Sequence, residues 1–188
     1  MSEDDQAPRR TRVTERFTRV PIFAMYLEDD EVARILAISD EISVRGDSEI
    51  FGPGEENDGF YIIIKGRVNI DLPSERGGRT TIATLSNRSV FGEMSFLRGD
   101  RKRSAWAHAT EPTVLTKVRG DAFREMLEKG DVAAYKVIYN FAQLIAARLR
   151  RVEDELLDTL DELGPKRRER KLAELQEFRQ KLFKEWSF

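Results

Sequence analysis

Apolar and polar positions change period several times along this chain, and each change marks an element. Residues 1–12 are polar and predict a mobile N-terminal tail. Val13 to Val20 can form a short helix with Phe17 and Val20 facing inward, and Pro21 ends it. Phe23, Met25 and Leu27 lead to Asp29-Asp30, an expected N-cap for a helix over Glu31 to Ser39. Val32, Ile35, Leu36 and Ser39 would share its buried face.

From Ile42 the period shortens to two. Ile42 and Val44 alternate with polar residues, Arg45-Gly46-Asp47 reads as a turn, and Ile50-Phe51 as a short strand before Gly52-Pro53-Gly54. Phe60 to Ile64 is an unbroken apolar strand, followed by Lys65-Gly66 and the alternating run Val68 to Leu72. Arg76 to Arg79 is a hairpin loop by composition, with Thr80 to Leu85 pairing back. Ala105 to Ala109 and Thr113 to Val118 supply two more strands. Many short strands separated by glycine-rich turns predict an antiparallel β-barrel or jelly roll.

The period then lengthens again. Asp121 opens a short helix over Ala122 to Glu128, which Gly130 ends. A long helix follows from Asp131 to about Leu163, with Ile138, Phe141, Ile145, Leu149, Val152, Leu156 and Leu160 spaced by threes and fours. A barrel can cover its first part. The turns beyond about Arg151 need a second surface, most simply the same helix of a second copy. Gly164-Pro165 breaks the helix, and Leu172, Leu175, Phe178, Leu182 and Trp186 mark a terminal amphipathic helix.

The expected fold is therefore α+β. A jelly roll is flanked by short N-terminal helices, a long C-terminal helix and a terminal amphipathic helix. The divisions fall at 1–12 (tail), 13–130 (roll with its helices), 131–163 (long helix, candidate dimerisation element) and 164–188 (terminal helix).

Composition narrows the function. Over 188 residues, 35% are charged, yet the formal net charge is only −2, so there is no global attraction to nucleic acid or anionic membrane. The chain has no cysteine and a single histidine, His108, which disfavours thiol chemistry, cysteine-ligated metal and a His-dependent nucleophile. No apolar run approaches the roughly 20 residues of a membrane span. No secretory signal is visible, and a cytoplasmic location is expected. The acidic stretch Glu55, Glu56, Asp58 reads as a solvated turn, and the basic run Lys166 to Lys171 as a solvated helix start.

Candidate chemistry concentrates in Phe91 to Ala107, F-G-E-M-S-F-L-R-G-D-R-K-R-S-A-W-A. Here a turn-to-helix start, a carboxylate, guanidinium groups and a hydroxyl fall within a few residues. Unpaired N–H groups at a helix start suit an anion, and an arginine fork binds phosphate oxygens in pairs. A carboxylate accepts from sugar hydroxyls. This stretch resembles the phosphate-binding cassette of the cyclic nucleotide-binding domain, in the branch of the bacterial catabolite activator protein. The spacing of Glu93 to Arg103 and the string Arg103-Ser104-Ala105-Trp106 carry the likeness. It extends back through Tyr61 to Val68 and Ile50 to Glu55, and covers about residues 21–130.

The resemblance implies that Glu93 accepts from a ribose 2′-hydroxyl and Arg103 neutralises a cyclic phosphate. Gly92 would permit close backbone approach, and Ser104 would donate to the phosphate or touch the base. Met94, Ser95 and Ala105 would offer backbone groups and packing, while Ile62, Ile64 and Val68 could line a base pocket, although plain core is the commoner role of such residues. Arg101 and Lys102 are read as ordinary surface cations. The sequence departs from the branch in two places. Arg88 stands where a glycine is usual, and Val152-Glu153-Asp154 stands where a Thr-Ser pair meets the purine.

Three functions follow. The leading one is a non-catalytic receptor for cAMP or cGMP, cAMP slightly preferred, with no cofactor or metal. It would form a homodimer through the long helix and could present the terminal helix to a protein partner in signal transduction. The second is a transcription regulator, but about 24 residues after Gly164 are too few for a winged helix-turn-helix, so direct sequence-specific DNA binding is not expected. The third is a ligand-independent scaffold acting through the terminal amphipathic helix.

Overall fold

A computed structural model describes residues 27–74, 77–99, 102–161, 172–174 and 176–177. The tail at 1–12, the helix expected over 13–20, Asp100-Arg101 and most of 164–188 lie outside them. The chain divides into two compact units, Met1–Phe141 and Ala142–Phe188.

Helix α1 (Asp29–Ala37) starts two residues earlier than the sequence suggests, because Glu28 is the cap. The Glu28 side chain accepts from the N3 backbone, and Glu31 at N3 accepts from the Glu28 amide at 2.8 Å. Two carboxylates thereby satisfy two orphan donors. Val32 and Ile35 are fully buried, as their helical spacing requires.

Eight strands follow: β1 (Ser39–Val44), β2 (Ser48–Phe51), β3 (Gly59–Lys65), β4 (Val68–Pro73), β5 (Arg79–Leu85), β6 (Val90–Phe91), β7 (Trp106–Ala109) and β8 (Thr113–Arg119). They form two four-stranded antiparallel sheets, β1-β8-β3-β6 and β2-β7-β4-β5. Consecutive strands lie mostly in different sheets or are separated by others, which is the jelly-roll arrangement.

The apolar run of β3 has two jobs, and this explains why it does not alternate. Tyr61 and Ile63 point between the sheets, where they join Phe51, Val68, Phe91, Ala107 and Leu115. Phe60 points the other way. Its ring meets Phe96, Phe123 and Phe141 at centroid distances of 5.8, 5.3 and 4.9 Å. Those three rings come from three helices: α2 (Glu93–Leu97), α3 (Gly120–Glu128) and α4 (Val132–Asp161). Edge-to-face aromatic contacts of this kind add about 0.5–1.5 kcal/mol per pair beyond burial.

Two ion pairs tie α1 to the start of α4. The buried Glu31 carboxylate receives Lys136 Nζ at 2.7 and 2.8 Å, and Arg34 Nε donates to Asp131 at 3.0 Å. Further along α4, Leu149, Val152, Leu156 and Leu157 are exposed.

Candidate functional site

Arg103 is the centre of the site. It belongs to the segment between α2 and β7, and the loop between β2 and β3 runs alongside it. The Arg103 amide donates to the Glu55 carbonyl at 2.9 Å, and its carbonyl accepts from the Gly54 amide at 3.0 Å. This backbone pairing turns the side chain inward, where only 3% of the residue is exposed. The guanidinium lies 4.3 Å from the Phe51 ring centroid and 5.5 Å from that of Tyr61. Tyr61 in turn stacks on Phe91 at 5.1 Å. Aromatic faces stabilise a desolvated cation electrostatically.

A buried guanidinium needs anionic partners. Arg103 Nη2 donates to Asp58 Oδ1 at 3.0 Å, and Nη1 donates to the Gly92 carbonyl at 3.1 Å. Nε is buried with no hydrogen-bond partner among the described residues. Leaving such a donor unpaired costs about 1–3 kcal/mol. The site therefore holds a spare donor on a cation, which an anion bearing several oxygens can take up.

Gly92 is fixed by this geometry. Its φ is +80°, and a Cβ placed there would come 2.8 Å from Arg103 Nη1. Glu93 follows directly as the first residue of α2 and is 1% exposed. The expected guanidinium and carboxylate are thus both inside the protein, linked through the Gly92 carbonyl. Ser95 is buried, Ala105 half-buried, and Met94 and Ser104 exposed.

Ile62 and Ile64 do not line this site. Ile62 shares the face of β3 that carries Phe60, opposite Tyr61, so it belongs to the core beneath the helices. Ile64 is half-buried at the register break between β3 and β8. The aromatic wall that Arg103 uses comes from Phe51 and Tyr61 instead. An unbroken apolar run carries no marker of which face is which, so the sequence alone could not separate Tyr61 from Ile62.

Asp58 is half-exposed, as a solvated turn predicts, but it also has partners that the turn reading does not include. Its carboxylate accepts from Arg103, from Lys117 Nζ on β8 and, at 3.4 Å, from the Tyr61 hydroxyl. Gly59 places it: a Cβ there would sit 2.0 Å from the Val118 carbonyl, so only glycine lets the loop cross so close to β8. Burial acts to raise the Asp58 carboxyl, but the Lys117 hydrogen bond and the charges of Lys117 and Arg103 outweigh it, leaving the group below its ordinary value. Burial, and next the Asp58 charge, push the Tyr61 phenol up to about 12. The available signal was the position of Asn57-Asp58-Gly59 at the mouth of a strand.

The model of the cyclic nucleotide-binding domain family matches residues 41–130. That stretch includes Asp58, Glu93 and Arg103. Residues 41–130 belong to the cyclic nucleotide-binding domain family. The chain is similar to the cyclic AMP receptor protein of Thermus thermophilus, 32% identical over 107 residues, covering 57% of this chain and 47% of the relative. It is also similar to a CRP-like cAMP-activated global transcriptional regulator of Mycobacterium tuberculosis, 30% identical over 128 residues, covering 67% and 54%. The chain spans about half the length of these curated relatives. Among solved structures, a cyclic nucleotide-binding domain from Methylobacillus flagellatus superimposes with a TM-score of 0.70 at 25% identity, covering 81% of this chain and 86% of that one. The branch read from the cassette, that of the catabolite activator protein, and the jelly roll with its long C-terminal helix are both upheld. Within residues 41–130, the roll holds Phe51 and Tyr61 against Arg103.

Proposed function

We propose that the domain is a non-catalytic receptor for a cyclic nucleotide, with cAMP ahead of cGMP. The single observation that carries this reading is Arg103: a buried guanidinium bonded to the carbonyl of Gly92, the residue before buried Glu93, with its Nε donor unused among the described residues. A cyclic phosphate supplies a single negative charge and oxygens in the fork geometry arginine prefers. Glu93 would accept from the ribose 2′-hydroxyl, and Gly92 leaves the backbone close to the ligand. The likeness to relatives named for cyclic AMP supports the choice of ligand.

Binding at the cassette would be passed on through packing. Phe96 lies three residues after Glu93, and its ring meets both Phe60 and Phe123. A shift of α2 therefore presses on α3 and, through Phe60 and Phe141, on the start of α4. Interlocked aromatic packing favours a switch between discrete arrangements over gradual deformation. The output would be a homodimer formed through the exposed seam Leu149, Val152, Leu156, with the terminal helix available to a protein partner. No helix among the described residues is long and apolar enough to cross a membrane. We place the protein in the cytoplasm, in signal transduction, without direct sequence-specific DNA contacts from these residues and without cofactor or metal.

One observation favours a second reading, a ligand-independent scaffold. Asp58 already neutralises Arg103, so the domain is electrostatically complete by itself. Thermal-shift titration with cAMP, cGMP and cyclic dinucleotides separates the two. A ligand at 100 times its dissociation constant stabilises the fold by about 2.7 kcal/mol. No shift with any of them would leave the scaffold standing.

A further inference from the structure

We infer that Lys117 is a positioning residue for the phosphate site, holding the Asp58 carboxylate so that Arg103 can exchange it for a ligand phosphate. The inference rests on reading Arg103 as the phosphate-binding group.

Lys117 is an anomaly in its strand. It pairs across the sheet with Tyr61, so it shares the inward side of β8 with Leu115, where the roll otherwise places apolar groups. Its side chain is only 22% exposed. An ammonium held there needs an anion, and Asp58 is that anion. The carboxylate is divided between its two partners: Oδ1 faces Arg103 and the Tyr61 hydroxyl, while Oδ2 faces Lys117.

This division matters when a second anion reaches Arg103. The incoming phosphate and Asp58 repel each other across one guanidinium. If Arg103 were the only cation near Asp58, drawing phosphate in would strand a carboxylate in a partly desolvated position. With Lys117 in place, Asp58 releases Arg103 and keeps a counter-ion. Space for that turn exists. Asp58, Tyr61 and Lys117 line a cavity of about 310 Å³ between the β1 and β2 edges, and Lys117 is the one basic residue among its described lining residues. Glu55 and Glu56 line it as well, and Glu49, which also lines it, is paired with Arg79 at 2.7 Å.

The test is a calorimetric titration of the full chain with cAMP, comparing wild type, Lys117→Met, Lys117→Arg, Asp58→Asn and the double variant Asp58→Asn/Lys117→Met. Lys117→Met should weaken binding about tenfold, which is about 1.4 kcal/mol. Lys117→Arg should stay within about threefold of wild type, because a cation remains. In the Asp58→Asn background the Lys117→Met change should be lost, since there is no carboxylate left to hold. Carboxyl-carbon NMR of the ligand-free protein gives a second readout: Asp58 should titrate higher in Lys117→Met than in wild type. An equal loss in both backgrounds, or unchanged binding by Lys117→Met, overturns the inference while leaving Arg103 as the phosphate group. Absence of binding by wild type overturns both.

Discussion

The αL residues show how closely single positions are constrained. Gly92 has a φ of +80° beside Arg103, and Arg88 has a φ of +71° with a full side chain. An added methyl at Gly92 meets both backbone strain and the guanidinium. Gly92→Ala should therefore cost roughly 1–3 kcal/mol in urea denaturation and weaken ligand binding at the same time. Arg88→Gly should act in the opposite direction, stabilising by about 0.5–1 kcal/mol through relief of strain. Equal stability of Arg88→Gly and wild type would show that the Arg88 amide, bonded to the Ile63 carbonyl at 2.7 Å, already offsets the strain. Much of this scale was legible in the sequence. Glu93, Arg103 and Gly92 stand out because polar groups at fixed spacing interrupt an apolar pattern. Asp58 and Lys117 did not, because their partners are 45 and 59 positions away along the chain, and only folding brings them together.

Among the elements, α1, α2 and α4 carry the energetics. Burial acts to raise the Glu31 carboxyl, yet the Lys136 hydrogen bond and the Glu28 amide together hold it below its ordinary 4.5. A depressed carboxyl contributes stability that is present above its unfolded value and lost as pH falls through the folded one. Wild type should thus lose stability as pH drops below about 4.5, and part of that slope should disappear in Lys136→Met. At neutral pH the same variant leaves a buried carboxylate without its cation, so it should cost about 1–3 kcal/mol after allowing for the partial exposure of Lys136. Guanidinium unfolding between pH 3 and 7 measures both effects. Phe96→Ala should cost about 3–5 kcal/mol, because it opens a gap against Phe60 and Phe123. Strand and helix types followed from the periodicity. The start of α1 did not, because reciprocal capping by Glu28 and Glu31 outcompeted Asp29-Asp30.

For the whole molecule, the fold was readable because its signals repeat: seven short strands, turn residues between them, then a long 3.6-residue period; the two-residue β6 is too short to show a period. Which face of β3 met the helices was not, since both faces are apolar. The two compact units have different roles in the proposed account. The first contains the nucleotide site, and the second carries the exposed seam Leu149, Val152 and Leu156. Replacing Leu149 and Leu156 by glutamate puts like charges into that seam. Sedimentation velocity should then show a shift from dimer to monomer, while cAMP still stabilises the roll. A wild type that is monomeric at all accessible concentrations would remove the seam from the mechanism. The central claim is tested most directly by isothermal titration of cAMP into wild type and Arg103→Ala at equal salt. The account predicts saturable 1:1 binding per chain by wild type and loss of at least about a hundredfold in affinity, about 2.8 kcal/mol, in the variant. Binding by Arg103→Ala as tight as by wild type would contradict it.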